Sequence, residues 1–101
     1  MPSAELSPRA DEDVREIWHY TAETWSERQA QNYVDALFDT IEALAETPSS
    51  GIVADDISAG LRRQRCASHM IFYRETPLGI LIVRVMHEQM DFTAHLANDD
   101  A

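Results

Sequence analysis

Apolar positions recur at helical spacing in two stretches of the chain and at strand spacing in three, with turn residues between them. The first helical stretch is announced by Ser7-Pro8, an N-cap followed by a residue that needs no amide donor. Asp11, Glu12 and Asp13 follow in the first turn, where carboxylates suit the helix dipole. Val14, Ile17, Trp18, Thr21 and Trp25 then mark one face. Ser26 with Gln29 forms a capping box that starts a second helix at once. Its stripe runs through Ala30, Tyr33, Val34, Leu37, Phe38, Ile41, Leu44 and Ala45, with Asp35, Asp39, Glu42 and Glu46 outside, and Pro48 ends it. Two amphipathic helices with almost no connection predict an αα-hairpin.

Residues 1–7 read as a short first strand, and Ser49 to Gly60 as a polar loop with one extended turn near Ile57. Leu61–Cys66, His69–Arg74 and Ile80–His87 read as three strands joined by short turns, hence antiparallel neighbours. The predicted fold is α+β in two layers: an N-terminal strand and the αα-hairpin packed on a small antiparallel sheet, in the order β-α-α-β-β-β. Simple alternation in the last strand puts Leu81, Val83, Val85 and His87 on one face and Ile80, Ile82, Arg84 and Met86 on the other. With one face under the helices, Arg84 is expected on the opposite face beside some of Arg62, Arg63 and Arg65, as a basic strip.

At 101 residues the chain predicts one domain, 1–101, whose last residues 97–101 are expected to fray. The formal charge of −10 is unevenly spread. Residues 1–60 hold three arginines and thirteen acids, 61–87 five arginines and one acid, and 88–101 four acids and no base. An acidic body argues against broad nucleic-acid binding, which needs many phosphate contacts. It leaves one basic segment to meet an acidic partner. Lysine is absent, which removes Schiff-base and P-loop chemistry. No apolar run can span a bilayer, and the single Cys66 suits a reducing compartment, so a cytoplasmic protein with no membrane partner is expected.

Candidate chemistry concentrates at Arg84-Val85-Met86-His87-Glu88-Gln89-Met90-Asp91. A metal site is disfavoured, because the pattern lacks a second histidine one helical turn away and His19, His69 and His95 are scattered. RNA cleavage is a serious alternative, with His87 as base and Arg84 and Arg65 as cations on the phosphate. Against it stands a plain reading: His87 bonds the backbone at a strand end, and Arg84 pairs with an acidic helix. Trp18, Tyr20, Trp25, Tyr33 and Phe38 exceed what a small sheet covers. Phe38 is read as core, while Tyr20 and Trp25 stay open between core and a partner-binding patch.

The ordered series Leu6-Ser7-Pro8-Arg9-Ala10, Ile17-Trp18-His19-Tyr20-Thr21, Gln29-Ala30-Gln31-Asn32-Tyr33, Leu44-Ala45-Glu46-Thr47-Pro48, Gly60-Leu61-Arg62-Arg63 and Ser68-His69-Met70-Ile71-Phe72-Tyr73-Arg74, closing on Arg84 to Asp91, resembles the RelE/ParE toxin superfamily, in its ParE branch. That resemblance implies the bacterial toxin of a type II toxin–antitoxin system, a ParD-like antitoxin and DNA gyrase as the bound target. It also implies no cofactor and no catalysis. Glu88 and Gln89 stand where many relatives carry a base. Tyr20, Trp25, Arg62, Arg65, Arg84, His87, Met90 and Asp91 are the expected partner-binding residues. The alternatives are a RelE-like ribosome-dependent mRNA endonuclease and a non-toxic interaction domain of the same fold.

Overall fold

The computed structural model describes residues 3–99. Strand β1 (Ser3–Leu6) leads into α1 (Pro8–Thr24) and α2 (Glu27–Glu46). A single 3-10 turn (Pro48–Ser50) and a two-residue strand β2 (Ile52–Val53) precede β3 (Arg62–Cys66), β4 (His69–Thr76), β5 (Gly79–His87) and α3 (Phe92–Asp99). Both predicted caps are in place: the Ser7 and Ser26 hydroxyls accept the amides of Ala10 and Gln29. Each such cap stabilises its helix by about 1 kcal/mol.

The strand order is β1-β5-β4-β3-β2. The α+β class and the αα-hairpin are as expected, but the sheet is mixed rather than antiparallel. β1 runs parallel to β5, with Ser3 opposite Gly79 and Leu6 opposite Ile82. The reason is connectivity: α1, α2 and strands β2 to β4 separate β1 from β5, so no short turn forces the two to be antiparallel. Gly79 is needed at this junction, since its φ is +153° and a Cβ there would strike the Ser3 backbone. The sequence also left β2 and α3 unpredicted. Asp91 caps α3 by accepting the Ala94 amide at 3.2 Å. The helix ends at Asp99, and residues 100 and 101 lie outside the described ones.

Two apolar clusters sandwich the sheet. Val14, Ile17, Leu37, Ile41 and Leu44 of the hairpin close on Ile71, Tyr73, Ile80, Ile82 and Val85. On the other face Leu61, Phe72, Val83 and Met86 pack with Leu96 of α3 and Ala54 of the loop. A partial third layer therefore covers the side expected to be open.

Strict alternation along β5 fails at one place. Phe72 is opposite Arg84 but Tyr73 is opposite Ile82, so Val83 is an extra residue, a β-bulge. Ile82 and Val85 consequently face the same helices. The bulge sits where β1 ends and β5 loses its neighbour. There Ser7 donates its amide to Ile82 O and its hydroxyl to Val83 O, at 2.9 and 2.8 Å. The start of α1 thus takes over as the partner of the strand edge.

Candidate functional site

Helix α1 carries the next contact on this edge. Ala10, Asp13, Val14 and Ile17 are its buried residues, so Asp13 lies in phase with the apolar stripe. Its carboxylate accepts the Val85 amide at 2.9 Å and the Arg84 guanidinium at 2.7 and 3.0 Å. Asp13 is 8% exposed and Arg84 3%. This overturns the expected basic strip: the bulge turns Arg84 to the edge of the sheet, where Asp13 neutralises it. Arg84 is therefore buried and paired, not displayed on an open face.

The other arginines also separate. Arg62 stands opposite Tyr73, and Arg65 stands opposite Met70. Arg62 donates to Gly51 O at 2.9 Å and to Ser49 O, tying down the loop after α2. Tyr73 helps, donating its hydroxyl to Pro48 O at 2.7 Å and accepting the Gly51 amide at 2.9 Å. Burial raises the Tyr73 pKa, so the phenol keeps its proton. Arg65 is exposed and forms an ion pair with Glu88. Asp91, expected at a partner interface, is the cap of α3.

The feature that does assemble is a groove between α1, α2 and the ends of β4 and β5. It consists of two hollows of about 300 and 510 Å³ that share Tyr20, Thr21, His69 and His87. Met90 lines the first hollow and Trp25 the second. Tyr20 and Trp25 stand 69% and 70% exposed on its rim, so neither belongs to the core. Exposed aromatic side chains over a concave floor are the usual anchors of protein recognition.

The floor is a cross-strand histidine pair. His69 and His87 are register partners, with ring centroids 5.3 Å apart and planes at 83°. The Tyr33 hydroxyl lies 2.7 Å from His69 Nδ1 and accepts the Ser68 amide at 3.1 Å. Burial first, and then the neighbouring His87, lower the His69 pKa to about 4. His69 is therefore neutral at pH 7. The direction of the Tyr33–His69 hydrogen bond follows the His69 tautomer, because the hydroxyl can accept a second bond beside the one from Ser68. Burial also raises the Tyr33 pKa, so the phenol keeps its proton. His87 Nδ1 accepts the Gln89 amide at 3.2 Å.

Of the residues expected from sequence, Tyr20, Trp25, His87 and Met90 come together at this groove; Arg62, Arg65 and Asp91 do not line it, and Arg84 lies in its floor already paired. Asp13, Tyr33 and His69 were not predicted as site residues. Asp13 had a readable signal, an acid on an apolar stripe. His69 depended on the hairpin register, which a two-residue turn with Ala67 at φ +53° sets. Among the described residues, no three or more His, Cys, Asp or Glu side chains converge as a metal site, and no helix is long and apolar enough to cross a membrane.

Residues 4–92 match the family model described as ParE toxin of the type II toxin–antitoxin system parDE. The chain is 40% identical over 96 residues to toxin ParE1 of Caulobacter vibrioides, covering 95% of this chain and 99% of that one. It is 38% identical over 92 residues to toxin ParE1 of Mycobacterium tuberculosis, covering 90% and 94%. A chain of a chromosomal ParDE system from P. aeruginosa shares the fold, with a TM-score of 0.75 at 17% identity, covering 86% of this chain and 96% of that one. With a family match over nearly its whole length and relatives of this similarity, the chain belongs to the ParE toxin family of type II toxin–antitoxin systems.

Proposed function

We propose that this toxin acts by docking on DNA gyrase in the cytoplasm, with no bond made or broken by its own side chains, and that a ParD-like antitoxin silences it. The observation that carries the reading is the groove itself. Its rim offers Tyr20 and Trp25 as anchors, and its floor offers a neutral imidazole and an arginine whose charge Asp13 already balances. Such a surface suits an antitoxin helix with apolar side chains at helical spacing. It is poorly suited to phosphate.

The nuclease alternative needs Arg84 and Arg65 to hold a phosphate beside His87. Arg84 is buried on Asp13, and Arg65 is engaged by Glu88. The family supports the same direction, since the matched toxins belong to parDE systems.

The deciding experiment runs purified toxin in a gyrase supercoiling assay beside an mRNA-cleavage assay on translating ribosomes, each with wild type and His87→Ala. Loss of supercoiling that survives His87→Ala, with intact mRNA, supports docking. Transcripts cut by wild type and spared by His87→Ala overturn it. Equal amounts of toxin pre-mixed with a ParD-like antitoxin should restore supercoiling.

A further inference from the structure

We propose that the outer edge of β1, together with the apolar groove between β1 and α2, takes a short, basic, extended segment of a partner protein as a sixth strand. This site is separate from the aromatic-rimmed groove and does not rest on the reading given above.

The backbone of β1 is divided between two sides. Ser3 and Ser7 donate their amides inward, to Leu78 O and Ile82 O of the β5 side. In a parallel ladder the intervening residues Ala4 and Leu6 then point their N–H and C=O groups outward. β1 is the end strand of the sheet, so no strand of the described residues meets those groups. An antiparallel segment of four or five residues would pair with both Ala4 and Leu6, which is the geometry of strand addition.

Beside that edge lies a hollow of about 440 Å³, with Ala4, Leu6, Phe38 and Ile41 in its wall and Glu42 and Glu46 along α2. Phe38, expected in the core, is 39% exposed. Its stripe is wide enough to reach past β1, the end strand of the sheet among the described residues. Alternate side chains of an added strand would drop into this wall, and the residues beside them would meet the two carboxylates.

Charge selects the occupant. Both charged residues lining the hollow are acidic, Glu5 is exposed on β1, and Asp35 and Asp39 continue the acidic outer face of α2. A second copy of this chain, at −10, would bring two such faces together. A nucleic acid would be repelled. A peptide segment alternating apolar and basic residues complements both the wall and the rim.

The test uses three fluorescein-labelled hexapeptides: valine alternating with lysine and arginine, the same with glutamate in place of the bases, and the basic one with alternate amides N-methylated. Fluorescence anisotropy should show binding of the first, at least about tenfold weaker binding of the second, and none of the third. Glu42→Lys with Glu46→Lys should weaken the basic peptide about tenfold and flatten its salt dependence. Trp25→Ala should leave its affinity unchanged. In amide NMR spectra the peptide should shift Ala4 and Leu6, and the spectra also report whether the charge-reversed variant is folded. Equal binding of the basic and glutamate peptides, binding that survives charge reversal, or shifts centred on His69 and His87 would each overturn the proposal. A toxin dimer in sedimentation that dissociates on Glu5→Arg would overturn it in favour of self-association.

Discussion

Asp13 and Arg84, 71 residues apart in sequence, meet as a buried two-point pair at the place where β5 outruns its neighbouring strand. The same carboxylate takes the Val85 amide, so one side chain both balances a charge and closes a sheet edge. Its removal should be severe. Asp13→Ala leaves a buried guanidinium and an amide unpaired and should cost about 3–5 kcal/mol in urea unfolding. Adding Arg84→Met should recover part of that loss, because the stranded charge is then gone; no recovery would show that the pair is not the source of the effect.

The groove rim should separate binding from stability. Trp25→Ala and Tyr20→Ala remove exposed rings and should change unfolding free energy by no more than about 0.5 kcal/mol. If they anchor an antitoxin, each should weaken that complex by about 1–2 kcal/mol, read by calorimetry. A complex of unchanged affinity would move the interface elsewhere.

His69 makes stability depend on pH. Its folded pKa of about 4 lies below the ordinary value of 6.5, so between these the unfolded chain binds more protons. Stability from this group should therefore be present above pH 6.5 and be lost as pH falls towards 4. Proton NMR should find the His69 ring titrating well below a peptide histidine. His69→Gln should flatten the stability profile across that window.

The Tyr73 hydroxyl is the joint between the sheet and the loop after α2. Tyr73→Phe leaves the Gly51 amide and the Pro48 carbonyl without this partner and should cost about 1–3 kcal/mol. Gly51→Ala should also destabilise, since an added Cβ would overlap the Tyr73 hydroxyl. Thermal unfolding of both variants checks the pair, and their double variant should cost less than the two single changes together.

Arg65 is the one arginine of the expected strip that stays exposed among those proposed to steer a partner. Its ion pair with Glu88 is a surface pair, worth at most about 1 kcal/mol. Arg65→Glu should therefore slow association with an acidic antitoxin and reduce its salt dependence while leaving the fold intact. Stopped-flow rates at two ionic strengths decide it.

By itself the sequence determined the two helices, their caps, three strands and the family, because each is written in local periodicity, in Ser-Pro and Ser-x-x-Gln signals, or in an ordered series of short motifs. It could also name Tyr20, Trp25, His87 and Met90, whose residue types suit recognition wherever they lie. The parallel pairing of β1, the bulge at Val83 and the docking of α3 were decided by tertiary structure, because each depends on partners distant in the chain. The face under the helices mattered most: it is the face of Ile80 and Ile82, not the opposite one. One extra residue in β5 then breaks the period of two, so Arg84 meets Asp13 and the His69–His87 pair, not a strip of arginines, lies at the floor of the groove.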